Sequence, residues 1–137
     1  MDKRFFIRTV ASAAMVACVG SAMAQDKFKI GLILPMTGPF ASTGKQIEAA
    51  ARLYIAQNGD TVGGKKVELI VKDDTSAPDV TKRIAQELVV NEKVNVLAGF
   101  GLTPLALATA PIATQSKTPL VVMAAATSSI TEASPFI

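Results

Sequence analysis

From Lys27 onward, short apolar runs take turns with longer stretches in which apolar residues recur every three or four positions. "KFKIGLILP", Lys27 to Pro35, is a compact apolar run closed by proline, which predicts a buried strand. "MTGPFASTG" is a loop by its glycine and proline content. From Gly44 to Asn58, Ile47, Ala51, Tyr54 and Ile55 fall at helical spacing, and Asn58-Gly59 stops the helix. "VGGKK" is a turn. "KVELIVKDD" alternates, with Val67, Leu69 and Val71 on one face and Glu68, Ile70 and Lys72 on the other. It predicts a strand nearer the sheet edge than the first.

"SAPDVTKRIAQELVVNEK" carries the clearest helical pattern. Ser76 stands where a cap belongs and Pro78 suits the first turn. Ile84, Ala85, Leu88 and Val89 form its apolar face, while Lys82, Arg83, Glu87 and Glu92 face water. Val94 to Gly99 predicts a third strand, and Pro104 to Ser116 a helix kinked at Pro111. Pro119 to Ala126 predicts a fourth strand. The order β-α-β-α-β-α-β implies an α/β fold, a doubly wound parallel sheet with right-handed crossovers.

Charge changes the picture at the start of the chain. Lys3, Arg4 and Arg8 precede an uncharged apolar stretch that ends in the small-x-small pattern Ala22-Met23-Ala24. That order reads as a secretory signal peptide over residues 1–24, cleaved to leave Gln25 first, and its apolar stretch is short for a membrane span. A second reading puts a lipid anchor on Cys18. The formal net charge of the whole chain is +3; without residues 1–24, 11 basic and 10 acidic residues remain. No basic footprint for nucleic acid results. The chain has no histidine, and its single cysteine lies in the leader, so zinc–thiolate sites and disulfides are excluded after cleavage and no metal or cofactor is expected. Residues 25–137 suffice for one small domain, and the closing "EASPFI" reads as a turn entering a further segment of a longer protein. Val94 to Ser116 is free of charge, but Gly99, Gly101, Pro104 and Pro111 speak for strand, loop and helix rather than a membrane span.

In an open parallel sheet, ligands bind beyond the carboxyl ends of the strands. "GFGLTP" leaves the third strand at that end, with Thr103 read as helix cap and Pro104 as the first helical residue. It lacks the third glycine of a dinucleotide fingerprint and the Gly-Lys-Ser/Thr of a P-loop. It suits equally a capped helix with packing glycines or a site for a small carboxylate at a helix N-terminus. "AAATSS", Ala124 to Ser129, and "MTGPFASTG" reach the same rim, offering backbone and hydroxyl dipoles.

"GLILPMTGPFASTGKQIEAAARL" and "VLAGFGLTPLALATAPIATQSKTPLVVMAAATS" together resemble the branched-chain amino-acid ABC transporter substrate-binding proteins, the leucine/isoleucine/valine-binding family. The resemblance runs from Lys27 to Ile137. It implies two doubly wound lobes with the ligand between them, this chain matching the opening part of the first. It implies a periplasmic binder that delivers a branched-chain or related amino acid to an ABC permease in the inner membrane. By the same resemblance the ligand carboxylate is held at Thr103, and its ammonium by the Ala125 carbonyl and the Thr127 hydroxyl. Gly101 and Leu102 touch the ligand side chain, and Thr43 takes the place of an aromatic. The small Thr43, and "LTP" where the family often has serines, open the way to an aromatic or other small organic acid. Such a piece alone is expected to bind weakly.

Asp73 and Asp74 support a rival reading as metal ligands or an acid–base pair, against a bland one in which they order the turn before "TSAPD". Without histidine, cysteine or a serine backed by a base, no nucleophilic machinery is visible, so an enzyme is not expected. A sensor role remains open on fold alone.

Overall fold

The computed structural model describes residues 27–137; the expected leader, its cleavage site and Cys18 lie outside the described residues. The elements are β1 (Lys27–Leu34), α1 (Ala41–Asn58), β2 (Thr61–Val62), β3 (Lys65–Asp73), α2 (Pro78–Val90), β4 (Val96–Gly99), α3 (Thr103–Ser116), β5 (Leu120–Val122) and α4 (Ser129–Glu132). They build one five-stranded sheet of order β2-β3-β1-β4-β5. Strands β3, β1, β4 and β5 run parallel, as the alternation predicts. β1 is central and β3 lies outside it, as their apolar patterns imply.

The sheet is not wholly parallel. Gly63 and Gly64, at φ 58 and 80, form a two-residue hairpin turn that pairs Thr61 with Lys66 and Val62 with Lys65. Both residues need left-handed backbone, which glycine adopts freely. A two-residue strand is too short to register as a periodic pattern, so β2 is missed by sequence reasoning. The last strand is shorter than expected. After Val122 the chain leaves the sheet and runs into α4, whose Ile130 is buried.

Helix starts also shift. α1 begins at Ala41 rather than Gly44, and its Ile47, Ala51 and Ile55 are half-buried as an i, i+4 row. Tyr54 belongs to no buried face, being 67% exposed. Ala77, not Ser76, is the N-cap of α2: Ala77 is extended, whereas Ser76 sits at φ 59. Leu102, not Thr103, is the N-cap of α3, since its backbone is the last extended one before the helix. α3 runs through Pro111 without a break.

The two sheet faces are covered unequally. α2 and α3 pack Leu88, Leu105 and Ala113 over Ile33, Leu97 and Leu120, with Phe100 fully buried among them. On the other face Leu32, Leu34 and Ala98 are buried, with Ile30, Ile47 and Val71 packed against them. Of α1, only Gly44 is fully buried.

Candidate functional site at the carboxyl ends of the strands

The loops after β1, β3, β4 and β5 gather at one rim. Pro35, in the loop after β1, is where the first turn of α1 and the loop after β4 come close. A Cβ on Gly44 would lie 2.1 Å from the Pro35 carbonyl oxygen, and one on Gly101 would lie 3.1 Å from the Pro35 ring. Glycine at 44 and 101 therefore lets the first turn of α1 and the "GFG" loop close on the end of β1. Gly99 does the same one step earlier: at φ 116, its added Cβ would sit 2.1 Å from the Ile33 carbonyl oxygen. Phe100 follows at φ 65 with its ring fully buried, and its N–H donates to the Ile33 carbonyl at 2.9 Å. Two successive left-handed residues turn the chain sharply out of β4, and the buried ring fixes them there.

The loop after β5 is tied to this turn by the backbone. The Met123 N–H donates to the Gly99 carbonyl at 2.8 Å, and the Ala125 N–H to the Phe100 carbonyl at 3.0 Å. So the structure brings Gly101, Leu102, Thr103 and Ala125 to one rim, with Thr43 beside Gly44 at its border. Leu102 and Ala125 also lean on the core, so each is half-buried. Thr127 is exposed, its hydroxyl 3.3 Å from that of Ser129. It lines, with Ala125, Val122 and Ile130, an open groove of about 350 Å³ on the flank of β5.

The start of α3 is where donors remain open. Pro104 has no N–H, and the N–H groups of Leu105 and Ala106 already donate to the Leu102 carbonyl at 3.1 and 3.3 Å. Thr103 is half-exposed, and among the described residues no protein group accepts from its N–H or its hydroxyl. This pair of donors stands at the positive end of a 14-residue helix.

The two aspartates differ. The Asp73 carboxylate accepts the Met36 N–H at 2.9 Å, the Thr37 hydroxyl at 2.6 Å and the Thr75 N–H at 2.9 Å. Burial acts to raise its pKa, but these hydrogen bonds outweigh it and hold the group below the usual aspartate range. Asp74 is fully buried. One carboxyl oxygen accepts the Ser76 N–H at 2.7 Å; the other, like the Ser76 hydroxyl, has no partner. Burial pushes its pKa up, helped by the charge of Asp73. They order the turn, as the bland reading holds, but Asp73 also reaches across to the loop after β1. Sequence reasoning missed that reach; its only trace is an acidic residue at the end of a strand adjacent to β1. Among the described residues no three His, Cys, Asp or Glu side chains gather to hold a metal, and no helix is long and apolar enough to cross a membrane.

Polar loops at the carboxyl end of an open α/β sheet, with free donors at a helix N-terminus, are the arrangement of a ligand-binding lobe. The sequence profile of the periplasmic binding proteins matches residues 27–137, and the chain belongs to that family. It is 46% identical over 125 residues to the Leu/Ile/Val-binding protein homolog 6 of Brucella abortus (strain 2308), covering 90% of this chain and 32% of that protein. A solute-binding protein of an ABC transporter from Rhodopseudomonas palustris BisB5, solved with 3,4-dihydroxybenzoic acid, superimposes with a TM-score of 0.81 at 68% identity, over 82% of this chain and 31% of that one. Its counterpart from R. palustris HaA2, solved with p-hydroxybenzoic acid, gives a TM-score of 0.79 at 47% identity, again over 82% and 31%. The chain thus spans about a third of the length of the relatives it matches.

Proposed function

We propose that this chain forms one wall of the ligand cleft in the extracytoplasmic solute-binding component of an ABC importer, and that the ligand is a hydroxylated aromatic acid. The observation that carries the reading is the unshared Thr103 N–H and hydroxyl at the start of α3, in a loop without charged side chains. Such donors take a carboxylate well, and neutral hydroxyls and carbonyls around them suit phenolic groups. The 68%- and 47%-identical proteins solved with hydroxybenzoic acids support the same class. The role is that of a binder that hands its ligand to an inner-membrane permease, with residues 1–24 directing export.

A branched-chain amino acid is the second reading, favoured by the name of the 46%-identical relative. Calorimetry of the chain with 3,4-dihydroxybenzoate, 4-hydroxybenzoate and leucine separates the two. Saturable heat from the benzoates and none from leucine at equal concentration is expected. Leucine binding without benzoate binding would replace the first reading by the second.

A further inference from the structure

Resting on the reading of this rim as a ligand site, we propose that Asp73 is a positioning residue of the cleft: its carboxylate clasps the loop after β1 and so sets where Thr43 stands. The register of the sheet places it for this. β1 and β3 stay paired to their last residues, Leu34 opposite Asp73, and the Asp74 N–H extends the ladder to the Leu34 carbonyl at 3.0 Å. Past that point the ladder ends, and one carboxylate links the two chains. Two of its three donors, the Met36 N–H and the Thr37 hydroxyl, belong to the departing loop; the third, the Thr75 N–H, belongs to its own turn. All three are neutral, so the full charge of the carboxylate serves loop geometry and no cation is needed. The far end of the loop is fixed by close contact of Gly44 with Pro35, and the Thr43 N–H donates to the Phe40 carbonyl at 3.0 Å. Thr43 is therefore held between two anchors, one steric and one the Asp73 clasp. The carboxylate touches the loop, not the ligand.

Amide hydrogen exchange of the whole chain tests the clasp without ligand, and titration with 3,4-dihydroxybenzoate tests its consequence. In Asp73→Ala, exchange at Met36, Thr75 and Thr43 should rise about tenfold or more, the range expected when hydrogen bonds to a charged group are lost. Leu88 and Leu97, in the core, should be unchanged. The benzoate concentration at half-saturation should rise about fivefold, less than a direct ligand contact would cost. Asp73→Asn keeps an acceptor oxygen for the two N–H groups and an amide donor for the Thr37 hydroxyl oxygen but loses the charge, so both readouts should fall between wild type and Asp73→Ala. Unchanged exchange at Thr43 in Asp73→Ala, or an Asp73→Asn variant as impaired as Asp73→Ala, would overturn the clasp. Should Asp73→Ala fail to fold, Thr37→Val removes one donor alone and must raise exchange at Thr43 by about threefold; no rise there would overturn the proposal equally. Wild-type chain silent to the benzoate would sink the ligand reading, and the exchange data would then decide the clasp alone.

Discussion

Thr103 keeps open donors because of what its neighbours cannot do. Pro104 lacks a donor, and Leu105 and Ala106 have spent theirs on Leu102. Thr103→Val keeps the side-chain shape and removes the hydroxyl, so affinity for 3,4-dihydroxybenzoate should fall by about 10- to 150-fold, the equivalent of about 1.5–3 kcal/mol for a hydrogen bond to a charged group. Thr127→Val tests the second hydroxyl on the same scale, and calorimetry reads both. A variant that binds as wild type takes its threonine out of the site. Asp74→Asn should leave binding nearly unchanged and alter stability with pH instead. Burial raises the Asp74 pKa, so the folded chain holds that proton more tightly than the unfolded chain. The resulting stability is present below the ordinary carboxylate pKa and is lost as pH rises through the raised value. Asp74→Asn cannot ionise, so its melting temperature should gain on wild type as pH rises from below the ordinary carboxylate pKa through the raised value. A constant difference across that range would mean that Asp74 keeps an ordinary pKa. Of these residues, Thr103 was legible as a helix-start threonine before proline. The division of labour between the aspartates was not, because it depends on β3 lying next to β1 and on which carboxylate the turn buries.

At the scale of elements, the long ones announced themselves. β3, α1 and α2 are signalled by their apolar periodicity, and β1 by a compact apolar run closed by proline. Two short ones did not. β2 is fixed by two glycines and a hairpin, and α4 by a single buried isoleucine; neither repeats a pattern long enough to read. β5 is predicted, but over a longer span than its three residues. The turn between β4 and α3 is the element on which the site depends, and Gly99 is its pivot. Gly99→Ala must fit a Cβ against the Ile33 carbonyl and hold φ 116, which should cost on the order of 3 kcal/mol. Gly63→Ala is the matched control: at φ 58 it has nothing within 4 Å of an added Cβ, and only the left-handed backbone cost of about 1 kcal/mol applies. Urea unfolding of both variants compares them. Equal losses would show that the close approach of β4 to β1 is relaxed in solution.

The whole molecule is lopsided, with a thick core under α2 and α3 and a thinner one under α1. Its outer strand β5 is partly covered by the chain itself, since the Leu120 N–H donates to the Phe136 carbonyl at 2.8 Å. That edge is thus closed at that point, while Val121 stays exposed. The loops after β1, β3, β4 and β5 lie at one end of the sheet, linked by backbone and side-chain hydrogen bonds. The chain spans about a third of its relatives, so binding by this wall alone is expected to be weak. The most direct test is therefore one that detects weak binding residue by residue: an amide nuclear magnetic resonance titration of the chain with 3,4-dihydroxybenzoate, beside an equal titration with leucine. The account predicts saturable shifts at Gly101, Leu102, Thr103, Ala125 and Thr127 with the benzoate, and none there with leucine. Benzoate shifts confined to the open groove between α1 and β3, at Arg52, Ile55 and Leu69, would contradict it.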